Sequence, residues 1–101
     1  MSIEFSHNGQ RTSRDPISVV GTKSTLILDY NLHRRYAYIY NHSASDTVWI
    51  TFTLPAEPLK GIPILPKSSY VVDYSNLTPV DISAITESAG VTAIVSVTEC
   101  V

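Results

Sequence analysis

From Ile17 onward the chain is written in short β-rich runs, and this punctuation constrains the fold more than any other feature. The runs are ISVV (17–20), STLILDY (24–30), RYAYIYN (35–41), TVWITFTL (47–54), IPIL (62–65), SYVVDY (69–74), VDISAITE (80–87) and VTAIVSVTE (91–99). Val, Ile, Thr and Tyr dominate them, which suits a pleated, half-buried surface. The breaks fall at turn-forming residues: Gly21, 31–34, 42–46, PAEPLKG (55–61), Pro66-Lys67, 76–79 and Ala89-Gly90. No window carries a sustained apolar repeat at helical period. Seven or eight such strands predict an all-β antiparallel sandwich, jelly-roll-like or Ig-like.

Residues 1–16 are polar apart from Ile3 and Phe5 and end at Asp15-Pro16. They are expected to form a flexible N-terminal arm, with a short strand at Ile3–Phe5, ahead of a sandwich domain over 17–101. Pro63 and Pro66 bracket a short apolar piece, and proline cannot donate to a ladder, so this segment reads as an edge strand or extended loop. The stretch PAEPLKGIPILP is expected to cross from one sheet to the other.

In TVWITFTL, Val48, Ile50, Phe52 and Leu54 alternate with Thr47, Trp49, Thr51 and Thr53. Successive strand residues point to opposite faces, so the first set is expected to face the core. In the preceding run Ala37 and Ile39 alternate with Tyr36, Tyr38 and Tyr40. A hairpin pairing Asn41 with Asp46 would set Tyr40 opposite Thr47, Tyr38 opposite Trp49 and Tyr36 opposite Thr51. Both apolar sets then share one face, a self-consistent register. Tyr36, Tyr38, Tyr40 and Trp49 would together form a contiguous outer patch. Cross-strand packing that stabilises the sheet and a core face with the hydroxyls reaching polar partners are alternative readings of that patch; the expected one is a protein interface, where Tyr and Trp are enriched.

Composition narrows the function classes. The formal charge is −2 and 16% of residues are charged, sparse against the roughly 25% usual in soluble domains. This hints at surface covered by other chains. No basic excess is present to hold phosphate backbones, so nucleic acid is not an expected partner. No apolar run approaches membrane-spanning length, and MSIEFSHNGQRTSRDP has no signal-like apolar segment. A membrane partner is not expected, and the single Cys100 excludes an intrachain disulfide.

Residues for chemistry are also missing from the pattern. His7, His33 and His42 stand alone, the nine carboxylates are scattered singly, and there is no GxSxG or glycine-rich phosphate loop. An enzyme, a metal and a cofactor are therefore not expected. Arg34-Arg35 is a basic doublet suited to pairing with an acidic neighbour.

Five segments follow one another in a recognisable order: R-R-Y-x-x-I-x-N-x-S (34–43), V-x-I-x-F (48–52), G-I-P-I-L-P (61–66), S-Y-V-V-D-Y (69–74) and A-I-V-S-V-T-E (93–99). Over 34–99 this resembles the small β-sandwich structural proteins of tailed-phage virions, which include head decoration or cement proteins and related accessory proteins. The matching positions are Arg35, Ile39, Asn41, Ser43, Val48, Ile50, Phe52, Gly61, Ile62, Leu65, Pro66, Tyr70 and Glu99. The chain departs in having Lys67 where glycine commonly follows the proline, and in lacking a glycine-rich loop after Phe52. The resemblance implies a non-enzymatic virion component made in the host cytoplasm. Its partners would be the major capsid protein or other virion proteins, with homo-oligomerisation expected. A head–tail connector or tail accessory role belongs to the same class; a carbohydrate- or receptor-binding module is the alternative from a different one.

Overall fold

The computed structural model describes residues 11–13 and 16–101, in which nine strands and no helix are found. The strands are β1 (Arg11–Ser13), β2 (Ile17–Val20), β3 (Thr25–Leu28), β4 (Tyr36–Asn41), β5 (Val48–Phe52), β6 (Ile62–Ile64), β7 (Ser69–Val72), β8 (Ile82–Thr86) and β9 (Thr92–Cys100). All eight expected runs contain a strand. β1 was not expected; it lies inside the segment read as an arm. The strand expected at Ile3–Phe5 lies outside the described residues.

Two antiparallel sheets face each other. One has the order β1/β2-β9-β4-β7 and the other β3-β8-β5-β6. β1 pairs with the end of β9 and β2 with its start, so the two segments share one edge position. The chain alternates between layers, and only β5 and β6 are sequence neighbours paired within a sheet. This is the strand order of a jelly roll.

The alternating pattern places the core as expected. Ala37, Ile39, Val48, Ile50, Val72, Ile82, Ala84 and Val95 are fully buried between the sheets, with Phe52 and Tyr70 packed at the margin. The hairpin is not formed. β4 pairs with β7 and β9, whereas β5 pairs with β6 and β8 in the opposite sheet. The segment 42–47 is thus an arch between layers. Alternation reports which side of a strand is buried, and an arch and a hairpin bury the same side.

Two further expectations are corrected. β5 ends at Phe52, and Leu54 is 63% exposed, because Thr53 adopts φ +74° and turns the chain out of the sheet. The loop 53–61 joins neighbours in one sheet; the crossing to the other layer follows β6, over 65–68.

Buried polar side chains flank β4 and close the sandwich ends. Before it, Arg34 is buried. Its Nε donates to Glu99 Oε2 at 2.7 Å, Nη1 to the carbonyls of Thr78 and Val80, and Nη2 to that of Asp29. One guanidinium so ties β9, the end of β3 and the lead-in to β8. At the last position of β4, Asn41 is fully buried, and its Nδ2 donates to the carbonyls of Asp46 and Ile64 at 2.9 Å each. Its Oδ1 accepts from the Ser43 amide, which starts the arch.

Sheet edges carry devices that discourage strand addition. β6 contains Pro63, and β3 has a register shift between Leu26 and Leu28. Beside β7 the turn folds back, and Asn76 Nδ2 donates to the Val71 carbonyl at 3.0 Å. In that turn the Ser75 hydroxyl, and then its amide, hold the exposed Asp73 carboxyl below its ordinary pKa.

The departures noted in the sequence coincide with left-handed backbone. Lys67 has φ +59°, and the loop after Phe52 holds Thr53 (+74°), Leu59 (+67°) and Gly61 (+97°). A left-handed non-glycine residue costs about 1–2 kcal/mol, partly offset by the extra unfolded-state freedom of glycine. Lys67→Gly is therefore expected to be neutral to slightly stabilising, and Lys67→Val destabilising, in urea titrations. Glu99→Ala leaves a buried guanidinium unpaired and is expected to cost about 3–5 kcal/mol. Glu57→Ala, at an exposed ion pair, should change stability by less than about 0.5 kcal/mol in the same titrations.

Candidate interaction surface

The distribution of charge on the sandwich sets up the site. Among the described residues, Glu99 is the sole charged residue within β2–β9, and it is turned inward onto Arg34. The outward positions of β2–β9 are thus uncharged; the other described charged residues stand in the connecting segments and at Arg11 of β1, which is in register with Cys100 and Tyr36.

The outer face of the β9-β4 sheet is built on a tyrosine ladder. Tyr36, Tyr38 and Tyr40 are half-buried, each alternating with a buried residue of β4. Tyr38 and Tyr40 stack with centroids 6.4 Å apart and planes 9° from parallel. His42 continues the row, meeting the edge of Tyr40 at 4.6 Å and sharing a 2.5 Å hydrogen bond with the Ser96 hydroxyl. Register sets Ser96 beside Tyr40 on β9, and Val71 beside Tyr38 on β7. Ile94 on the same face is 41% exposed.

Trp49 lies on the other face of the molecule. Its cross-strand partners are Pro63 and Ile85. Ile85 points outward yet is 5% exposed, so neighbours cover it, and Trp49 is the bulkiest side chain beside it. The indole Nε1 donates to Glu87 Oε1 at 3.0 Å, which sets a carboxylate on this face. Leu26, 50% exposed, adds to the apolar area. At the far end of β5 an open cleft of about 330 Å³ is lined by Thr51, Leu54, Pro55, Glu57, Lys60 and Gly61. The Thr51 hydroxyl is buried there without a hydrogen-bond partner.

The expected four-residue patch is therefore two surfaces. Tyr36, Tyr38 and Tyr40 share one, and Trp49 occupies the opposite one, because the arch at 42–47 moves the chain between layers. The cleft was missed in the sequence, since it depends on the left-handed turns of the loop 53–61. The pairing of Arg34 with an acid was foreseen, but its partner and its burial were not.

The chain matches no family model, no curated protein and no solved structure.

No group of three metal-ligating side chains occurs among the described residues. Cys100 is buried at the register position opposite Tyr36. What the faces offer is aromatic area, hydroxyls and one hydrogen-bonding group each at the margin, His42 and Glu87.

If the faces serve contact rather than folding, truncation should be cheap. Tyr38→Ser is expected to cost under about 1 kcal/mol in the isolated protein, in the range of a cross-strand pair. Ile39→Ala, one residue along and fully buried, should cost about 2–5 kcal/mol. Parallel denaturant titrations measure both.

Proposed function

We propose that this protein is a non-enzymatic structural component of a tailed-phage virion, acting as a capsid decoration or cement protein. The observation that carries the reading is the pair of aromatic outer faces on opposite sides of one small sandwich, the tyrosine row on one and Trp49 on the other. A cement protein bridges neighbours, and bridging needs more than one contact surface. The sequence resemblance over 34–99 supplies the virion class. The jelly roll is an architecture found in capsid domains, which supports the reading by analogy.

The mechanism is area burial. Each 100 Å² of apolar surface removed from water contributes roughly 2.5 kcal/mol, from which the cost of association is subtracted. A particle presents the same site many times, so modest single contacts suffice when they act together. The partners are the major capsid protein or other virion proteins, and the chain needs no cofactor for this role. A connector or tail accessory position would use the same surfaces.

One observation favours a second reading, a carbohydrate-binding module. His42 and Ser96 lie beside the Tyr38–Tyr40 stack, so polar groups converge on aromatic area as a sugar site requires. Jelly rolls also occur as lectin domains.

The Tyr38→Ser/Tyr40→Ser double variant separates the two. Added to particles lacking the protein, it is expected to bind at least tenfold more weakly than the unaltered chain, with its circular dichroism unchanged. Undiminished attachment together with lost binding on a glycan array would overturn the decoration role of this face and support the sugar reading.

A further inference from the structure

The end of the sandwich fixed by Arg34 carries apolar side chains that belong to neither face. β3 and β7 finish at this end, and β4 and β8 begin there. The 29–35 loop exposes Tyr30 and Leu32, and the 73–81 loop exposes Tyr74 and Leu77, none of them less than 48% exposed. The two loops are bonded to each other. The Asn31 amide donates to the Pro79 carbonyl at 2.8 Å, and Arg34 Nη1 donates to the carbonyls of Thr78 and Val80. Leu32 and Leu77 thus stand on segments already held in place, and a pre-organised surface loses little freedom when it is covered. Exposed apolar area gathered in this way marks a contact site. The same loops hold Asp29, Asp73 and Asp81 against Arg35, with Arg34 matched by Glu99. That acidic balance disfavours an anionic lipid surface as the occupant.

We propose that the occupant is this chain's own segment 1–10, lying across the end as a strap with Ile3 and Phe5 set on Leu32 and Leu77. The path of the chain carries the assignment. Arg11, the first residue of β1, is in register with Cys100, the last of β9, and the Cys100 carbonyl accepts from the Arg35 amide at 2.8 Å. The segment ahead of Arg11 therefore joins the sheet at the apolar end and not at the arch end. Its reach is sufficient: the chain from Phe5 to Arg11 spans up to about 20 Å when extended. β7 lies three strand spacings from β1, about 14 Å, and the second layer is about 10 Å away. Ile3 and Phe5 are the apolar pair of a polar segment. An extended segment sets them on one side and Ser2, Glu4 and Ser6 on the other, which turns Glu4 away from the three aspartates. The tether holds the segment near this end at an effective concentration on the order of mM, ahead of the same segment from a second copy. The tyrosine and tryptophan faces stay free, so the inference does not depend on the virion role.

The test is nuclear magnetic resonance on the isotopically labelled full chain. Nuclear Overhauser contacts are expected between the Phe5 ring and the methyl groups of Leu32 or Leu77. A mixture of labelled and unlabelled copies, read for contacts between copies, is expected to show none of them. Ile3→Ser/Phe5→Ser is expected to shift the amide signals of the 29–35 and 73–81 loops. It should also raise the fluorescence of a dye for exposed apolar surface about threefold or more, with circular dichroism unchanged. Leu32→Ser/Leu77→Ser should move the Ile3 and Phe5 signals to the positions they take in a free peptide of residues 1–10. The contacts of the unaltered chain decide the matter even if a variant fails to fold. No contact between Phe5 and this end, contacts found only between copies, or loop signals indifferent to Ile3→Ser/Phe5→Ser would each overturn the proposal.

Discussion

The buried Arg34 guanidinium is the interaction on which the rest of the sandwich depends. A jelly roll must pass its chain between layers at both ends, and each passage brings backbone carbonyls into places that water does not reach. Arg34 supplies donors in a fixed planar fork. Three carbonyls from two segments and the Glu99 carboxylate accept from it. With its net charge matched by Glu99, the cluster is a satisfied network rather than an isolated ion. At the other end of β4 the neutral Asn41 amide does the same for the arch and for β6. β4 is thus held at both ends by polar anchors, with Ala37 and Ile39 packed into the core between them.

That placement has consequences outward as well as inward. With β4 anchored in register, its alternate residues Tyr36, Tyr38 and Tyr40 are fixed on the outer face at strand spacing. The Asn41-centred arch then delivers β5 to the opposite layer, and so delivers Trp49 to the opposite face. The split of the aromatic residues into two surfaces is a direct result of how the polar groups at the arch are satisfied. A chain with one contact face can cap a neighbour; a chain with two can bridge.

The fold was legible to the extent that alternation is local. Each run from ISVV to VTAIVSVTE contains a strand, and Ala37, Ile39, Val48 and Ile50 are buried as their spacing implies. Strand partners were not legible, because a register that aligns apolar faces across a hairpin aligns them equally well across two sheets. Leu54 was misplaced because the period of two was carried past Thr53, where a left-handed residue ends the strand. Glu99 reads as one more outward charge in a strand until Arg34, far away in sequence, is brought beside it. The tyrosine ladder was recognisable from spacing within one run, whereas the cleft at Thr51 and Gly61 arises from loop geometry that no periodicity encodes.

The proposed role is contact within an assembled particle, and the most direct measurement is the amount of this protein in purified virions. Under the proposed virion role, quantitative mass spectrometry of intact, density-banded particles gives the copy number of the chain relative to the major capsid protein. A fixed stoichiometric ratio in every preparation, retained through washing at moderate salt, is expected. Particles that are complete and infectious without it, with the protein found only in the soluble lysate, would contradict it.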